Sequence, residues 1–181
     1  MTSPRYTRTA IALHWLIALA LVGLFSVGLY MHDLPLSPQK LKIYSWHKWG
    51  GVTVFLLVLV RLAWRFGHRP PALPAAMPEW QKIAANGLHH VLYLLMIAIP
   101  LSGWLMSSAK GFQTVWFGVL PLPDLIGKDK ELGEILEGVH SILNFSLAAL
   151  VVAHAGAAIK HHLIEKDDVL TRMLPFLNKN R

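Results

Sequence analysis

Residues 138–159 read GVHSILNFSLAALVVAHAGAAI, and these 22 positions contain no Asp, Glu, Lys or Arg. A helix that rises about 1.5 Å per residue needs about 20 apolar residues to cross the hydrocarbon core of a bilayer, so the stretch predicts a membrane-spanning helix. It carries His140 and His154. Fourteen residues of helix separate these two side chains by about 21 Å along the axis and by only about 40° around it. One predicted helix therefore holds two histidines on nearly the same face at two depths.

Three further apolar runs predict three more spanning helices. Residues 9–32 and 83–109 lack charged residues over 24 and 27 positions. The second run is weaker, because residues 43–64 contain Lys48 and Arg61, but long basic side chains can reach an interface or a buried anion. The first run is too long for a signal-peptide core. We therefore predict an all-α integral membrane four-helix bundle, with one domain over residues 1–181 and helices at about 9–32, 42–65, 82–108 and 133–163.

The composition excludes several kinds of site. Hydrophobic residues make up 54% of the chain and charged residues only 15%, which is low for a protein whose surface faces water. There is no cysteine, so disulfides, thiolate metal sites, cysteine-bound iron–sulfur clusters and haem attached through cysteine are all excluded. The ten histidines are the remaining strong nitrogen ligands.

The charges are distributed unequally between the two sides of the predicted membrane protein. Four spans place both termini on one side, together with the connection between the second and third helices. That side has eleven basic and four acidic residues, whereas the other side has six of each. Cytoplasmic segments are rich in Lys and Arg, so we predict that both termini are cytoplasmic and call this end the inner end. Its basic residues are Arg5, Arg8, Arg61, Arg65, Arg69, Lys82, Lys160, Lys166, Arg172, Lys179 and Arg181. Membrane lipid accounts for the net charge of +7, and nucleic acid is not an expected partner.

Six histidines lie in or at the edge of the four runs, where ionisable residues are costly and are usually functional. They are His14, His47, His89, His90, His140 and His154. Their distances from the flanking charged residues divide them into two layers. His47 and His140 form an outer pair. The inner group contains His14, His154 and either His89 or His90, and depth alone does not choose between them.

Two stacked haems would explain this arrangement, because haem iron accepts axial histidine and helical bundles hold such cofactors in their cores. Arg61 lies fourteen residues after His47 and would pair with a haem propionate in the inner layer. Gly103, fourteen residues after His89, and Gly50 and Gly51 would admit a large flat ring close to the backbone. Ordinary helix packing in lipid explains these glycines equally well.

Two other uses of the histidines remain as alternatives. A zinc or copper site would need ligands clustered within a few ångströms and often a carboxylate, but the histidines separate into layers and the spans hold no acid. A histidine-lined metal or proton transporter would usually show intramembrane acids or broken helices. Neither feature is evident in the sequence.

The sequence resembles the bacterial cytochrome b561 family, within the wider group that includes the cytochrome b subunits of nickel–iron hydrogenases. The resemblance covers almost the whole chain and rests on motifs in a fixed order: ALHW, WHKWGG, VRLAWR, HHVLYLLMIAIPLSGW, VHSILNF and AHAGAAIKHH. It implies a four-helix bundle with two b-type haems, protohaem IX. The implied axial ligands are His14 with His154 for the inner haem and His47 with His140 for the outer haem. It also implies that His89 is not axial and lies near a propionate or a quinone.

The resemblance further implies that superoxide, or another small periplasmic donor, is oxidised at the outer face and that ubiquinone is reduced at the inner face. Outer lysines could attract an anion, although solvated loop charge explains each of them as well: Lys42, Lys48, Lys110, Lys128 and Lys130. His161 or His162 could bind a quinone carbonyl, and the resemblance favours His161. An interfacial histidine that touches lipid headgroups is the simpler alternative.

The expected protein is thus a multi-pass oxidoreductase of the bacterial inner membrane, without an obligate protein partner. A membrane subunit of a hydrogenase or dehydrogenase complex is the alternative that shares the same haems. The short outer loops are unfavourable for it.

Overall fold

Four long helices dominate the computed structural model, which describes residues 5–178. All four are long and apolar enough to cross a membrane. They are α1 Arg8–Asp33, α2 Pro38–Gly67, α3 Glu79–Ala109 and α4 Lys130–Lys160. The predicted four-helix membrane architecture is therefore confirmed. Lys179 and Arg181, which contribute to the predicted charge asymmetry, lie outside the described residues.

Most helix ends lie a few residues beyond the apolar runs, because polar capping residues flank the runs. Thr7 caps α1, since its hydroxyl accepts a hydrogen bond from the amide of Ala10 at 3.2 Å. Ser37 caps α2 in the same way, and Pro38 occupies the first turn, where its missing N–H costs nothing. Asp129 caps α4 by accepting from the amide of Leu132. The α-helical part of α4 ends at Lys160, before the predicted end near residue 163.

The bundle consists of two helix pairs. α1 packs closely on α2, and α3 packs closely on α4, while contact between α2 and α3 joins the pairs. Ile17, Val54 and Val58 form the core of the first pair. Leu92, Leu95, Ile99 and Leu147 form the core of the second.

Large apolar side chains cover the outside of the helices. Leu19 is 70% exposed and Val152 is 72% exposed, in the middle of α1 and α4 respectively. A water-soluble protein rarely exposes so much contiguous apolar surface, whereas lipid solvates it well. The surface of the bundle is therefore suited to a bilayer.

A short β-hairpin covers the outer end of α2. Strands β1 (Val115–Trp116) and β2 (Leu120–Pro121) pair antiparallel within the α3–α4 connection. The indole of Trp49 donates to the carbonyl of Val115 at 2.6 Å, which fixes the hairpin against α2. The sequence predicts only a connection between the helices here, because strands of two residues show no alternation of polar and apolar residues.

The segment after α4 folds back across the inner end of the bundle. It contains a π-helix, His161–Glu165, and a 3-10 helix, Pro175–Asn178. The indole of Trp15 on α1 donates to the carbonyl of Met173 at 2.9 Å. The guanidinium of Arg172 donates to the carbonyl of Ala72 in the α2–α3 connection at 2.6 Å. We call residues 161–178 the C-terminal segment.

Candidate functional site

The outer layer brings the rings of His47 of α2 and His140 of α4 together in a T-shaped arrangement across the bundle. The centroids of their rings are 6.4 Å apart, and the ring planes meet at 81°. The Nδ1 atom of His47 is buried and makes no well-formed hydrogen bond. Both residues are half-buried, and their rings oppose one another as two ligands of a shared metal would.

Polar groups of α3 orient the ring of His140. Its Nδ1 lies 2.9 Å from the hydroxyl oxygen of Ser102 and 3.1 Å from the carbonyl oxygen of Ile99. The Ser102 hydroxyl itself donates to the Ile99 carbonyl. An acceptor at Nδ1 places the proton on that nitrogen and leaves Nε2 available to bind a metal. Ser102 was not identified by the sequence analysis, because nothing in its local pattern marks it.

Glycines lie against both rings of the outer layer. A Cβ built on Gly103 would lie 3.0 Å from Cε1 of His140, and one built on Gly28 would lie 3.4 Å from Cε1 of His47. The absence of a side chain at Gly103 therefore gives His140 the space for its observed position. The sequence analysis identified Gly103 but not Gly28.

Gly50 and Gly51, the other two glycines predicted from the sequence, do not contact the histidine rings. A Cβ on Gly50 would meet the side chain of Leu24 at 2.5 Å, so this glycine serves the close packing of α1 on α2. A Cβ on Gly51 would have no atom within 4 Å. Gly51 therefore faces open space, and its predicted role beside a cofactor stays a prediction.

The inner layer gathers three histidines. The ring centroids of His14 and His154 are 6.2 Å apart, and those of His89 and His154 are 5.2 Å apart. The Nδ1 of His89 bonds to the carbonyl of Ala85 at 2.6 Å. His90 is exposed, so of the two adjacent histidines on α3 only His89 joins the layer.

The donor geometry fits bis-imidazole coordination in both layers. A metal–imidazole nitrogen bond of about 2.0 Å, with the ring centroid about 1.1 Å behind the nitrogen, puts two opposed imidazole centroids about 6.2 Å apart. The pair His14–His154, at 6.2 Å, and the pair His47–His140, at 6.4 Å, match this separation. The contact of His89 with His154 is too short for the same arrangement. Each pair could thus hold one haem iron, and nitrogen donors suit iron porphyrin.

Arg61 lies beside the inner layer, where its charge acts on His14 and His154. Its Nε donates to the hydroxyl of Tyr93 at 2.9 Å, and one terminal nitrogen donates to the carbonyl of Ala10 at 2.9 Å. These contacts hold a cation between α1, α2 and α3 beside the inner histidines, where it would be available to a haem propionate. Tyr93, which fixes the guanidinium, was not identified by the sequence analysis.

The outer lysines have mostly structural partners. Lys48 donates to the carbonyl of Phe112 at 2.9 Å, and Lys110 is paired with the carboxylate of Glu137. Lys42 lies over the ring of Trp46, with its nitrogen 5.2 Å from the ring centroid. Lys130 is 3.9 Å from Glu134 in a loose, exposed pair. Several of the lysines thus hold the outer end in place, and acidic residues on the same side match the basic ones in number.

At the inner end, His161 meets two carboxylates and His162 meets none. The Nδ1 of His161 is 2.6 Å from the carboxylates of Glu165 and Asp167. The Nδ1 of His162 and the Oε1 of Gln81 are buried and have no hydrogen-bond partner. This end of the bundle thus offers both a fixed imidazole and unpaired polar atoms.

Among residues 5–178, the one group of three His, Asp or Glu side chains close enough to share a metal ion is His161, Glu165 and Asp167. The intramembrane histidines do not form such a group. They meet instead in opposed pairs, which is unfavourable for the zinc or copper alternative.

Comparison with known proteins shows the family of this chain. The family model described as "Prokaryotic cytochrome b561" matches residues 5–176. The chain belongs to the prokaryotic cytochrome b561 family. It is 35% identical to "Cytochrome b561 homolog 2" of Escherichia coli (strain K12) over 175 residues, which cover 96% of this chain and 93% of that protein. It is 30% identical to "Cytochrome b561 homolog 1" of the same organism, over 94% of this chain and 97% of that protein.

A third relative carries a more specific name. The chain is 29% identical to "Probable superoxide oxidase CybB" of Yersinia pestis, over 94% of this chain and 96% of that protein. Membership of the cytochrome b561 family makes this chain an inner-membrane electron-transfer protein that uses b-type haem. The predicted family and location are confirmed.

Proposed function

We propose that this cytochrome b561 binds two b-type haems and transfers electrons from superoxide at its outer end to ubiquinone at its inner end. The observation that carries the proposal is the pair of opposed imidazole contacts, His47–His140 at 6.4 Å and His14–His154 at 6.2 Å. Two contacts of coordinating length in different layers call for two cofactors. The fourteen-residue interval in α4 separates the layers by about 21 Å of helix.

The haems, when bound, supply reversible one-electron chemistry at iron. The residues of the chain bind the haems, supply a compensating charge and set the dielectric around them. The four imidazoles would hold the two irons, one pair to each layer, and would leave no iron position free for a small molecule. Arg61 supplies the positive charge that a propionate in the inner layer needs. The apolar bundle provides the low dielectric that tunes the potentials.

Superoxide is proposed as the donor on two grounds. A relative that matches over 94% of this chain is named a probable superoxide oxidase. The outer end also carries lysines such as Lys42, in the first turns of α2, and Lys128, in the α3–α4 connection, which attract a small anion to that end. The reaction consumes two superoxide anions, one quinone and two protons, and it yields two molecules of oxygen and one quinol.

Ubiquinone is proposed to bind at the inner end, near His161. This residue follows His154 by seven positions, which is about 10.5 Å of helix and a turn of about 20° from the same face. The buried unpaired atoms of Gln81 and His162 give a polar head group further hydrogen-bonding partners. The excess of basic residues at this end supports a cytoplasmic location for it.

Reconstitution tests the proposal directly. The purified holoprotein is supplied with a steady flux of superoxide and with a short-chain ubiquinone, and superoxide decay, oxygen release and quinol formation are followed together. The His140→Ala variant, which keeps the inner pair, is the control. We expect the wild type to accelerate superoxide decay and to form one quinol for every two superoxide anions, and the variant to lose both. Superoxide decay that the protein does not accelerate would refute superoxide as donor.

A further inference from the structure

Two carboxylates surround one ring nitrogen of His161 at the inner end of α4. Its Nδ1 lies 2.6 Å from Oδ2 of Asp167 and 2.6 Å from Oε2 of Glu165. The imidazole side chain is only 12% exposed. A histidine that merely contacts lipid headgroups would not need two acidic partners on one nitrogen.

The backbone after α4 is shaped to bring Asp167 to this position. The helix widens into a π-helix over His161–Glu165, and such segments occur frequently at functional sites. Lys166 then adopts the left-handed conformation, with φ 54°, which residues other than glycine rarely adopt. The chain reverses there, and the amide of Asp167 donates to the carbonyl of His161 at 3.2 Å.

Asp167 rather than Glu165 is the carboxylate that orients the ring. Its Oδ2 accepts the hydrogen bond from Nδ1 of His161, while its Oδ1 is held by the amide of Val169 at 3.0 Å. Glu165 is shared, because its Oε1 accepts from Lys160 at 2.6 Å. A carboxylate at Nδ1 fixes the tautomer and leaves Nε2 as the working nitrogen, as in hydrolytic triads.

The surroundings favour an ordered imidazole over a metal site. The ligand atoms of His161, Glu165 and Asp167 are close enough to share a cation. However, the ammonium of Lys160 is already 2.6 Å from Glu165, and its charge repels a second cation. Gln81 of α3 also faces Glu165, at 3.4 Å.

We propose that Asp167 positions the protonated, imidazolium form of His161, holding its Nδ1–H so that its Nε2–H donates a proton to a ubiquinone carbonyl oxygen during reduction. The inference rests on the proposed function of the inner end. Each quinone takes two electrons from the haem-bearing chain, with two one-electron oxidations of ferrous to ferric iron, and two protons. An N–H bond of His161 breaks as a quinol O–H bond forms. Water at the inner end reprotonates His161 and supplies the second proton.

Single-turnover kinetics on the holoprotein tests this role. The pre-reduced protein is mixed with increasing concentrations of a short-chain ubiquinone, in ordinary water and in deuterium oxide, and haem oxidation is recorded. In Asp167→Asn we expect the maximal rate to fall about tenfold or more, because oriented general acids contribute factors of about 10²–10⁴. The half-saturating quinone concentration should stay within about twofold, and the solvent isotope effect should rise, since proton transfer becomes rate-limiting.

Two further variants separate positioning from structure. Asp167→Glu keeps a carboxylate and should recover part of the lost rate. Asp168→Asn removes the neighbouring carboxylate, which pairs with Arg172 at 2.9 Å instead, and should stay within about twofold of the wild type. Reduced-minus-oxidised spectra should show the same haem content in every variant.

Nitrogen NMR of histidine-labelled protein gives a readout independent of turnover. We expect the resonances that disappear in His161→Gln to show a proton on Nδ1 in the wild type and to change in Asp167→Asn. An unchanged maximal rate in Asp167→Asn, or a higher half-saturating quinone concentration alone, would overturn the inference. So would a stoichiometric metal ion that is lost in Asp167→Asn. If ubiquinone fails to oxidise the wild type itself, the proposed function falls and the proton transfer with it.

Discussion

Replacing Gly103 with alanine would place a methyl group against the ring of His140. The new Cβ would lie 3.0 Å from Cε1 and 3.4 Å from Nδ1 of the imidazole. Carbon atoms in good contact are about 3.5–4.0 Å apart, so the ring must move by about 0.5–1 Å. The ring cannot move freely, because Ser102 and the Ile99 carbonyl hold its Nδ1.

The cost of that displacement should appear as weakened binding of the outer haem. Overpacking a well-packed site costs about 1–3 kcal/mol. At about 1.4 kcal/mol for each factor of ten, the affinity of the outer layer should fall about 5- to 150-fold. The inner layer should keep its affinity for haem, because about 21 Å of helix separates His140 from His154 along α4.

The assay is a haem titration of the purified apoprotein, followed by a redox titration of the product. Gly87→Ala is the matched control, since Gly87 lies on the same helix and a Cβ there would meet nothing within 4 Å. We expect one weak and one normal binding phase in Gly103→Ala, and two normal phases in Gly87→Ala. Two normal phases in Gly103→Ala, or weakening of the inner phase instead, would refute the reasoning.

Three further predictions concern the haem ligands, the hydrogen bond from His140 to Ser102 and the pKa of Tyr6. His140→Ala should lose only the outer haem and His154→Ala only the inner one, which haem-to-protein ratios and redox titrations will show; loss of both haems from either variant would contradict two independent layers. Ser102→Ala removes one of the two acceptors at Nδ1 of His140, an interaction of about 1 kcal/mol. The reduction potential of the outer haem should therefore rise by at most about 40 mV in a redox titration, while that of the inner haem stays the same. Burial raises the pKa of Tyr6, which lies outside the spans, against the opposing charge of Arg65. Its phenol should therefore ionise above the usual value of about 10, and the stability that depends on the neutral phenol should be present below about pH 10 and be lost as the pH rises through the raised pKa. Ultraviolet titration with Tyr6→Phe as the blank measures this, and ionisation at the usual pH would contradict it.

Much of the fold was readable because lipid imposes a simple rule on sequence. A run of about 20 uncharged residues has few alternatives to a spanning helix, so all four helices could be located. Charges near the ends of each run gave the depth of each histidine, and depth put His47 and His140 in one layer. The structure brings their rings to 6.4 Å.

Other features depend on contacts between distant residues. Depth left His14 with three candidate partners, His154, His89 and His90, and the ring distances show that His89 and His154 both lie within the inner layer. Ser102 matters because it faces a ring on another helix, which no local pattern reveals. The contact between His161 and Asp167 needs the left-handed backbone conformation at Lys166. This conformation cannot be predicted from a lysine in the sequence.

A haem count on the purified protein, combined with near-infrared magnetic circular dichroism, tests most directly whether two histidine pairs bind two haems. Two opposed imidazole pairs require two protohaems per chain, both low-spin with two nitrogen ligands. A ratio of one or zero, or a stable high-spin fraction in the intact protein, would contradict the pairing of His14 with His154 and of His47 with His140.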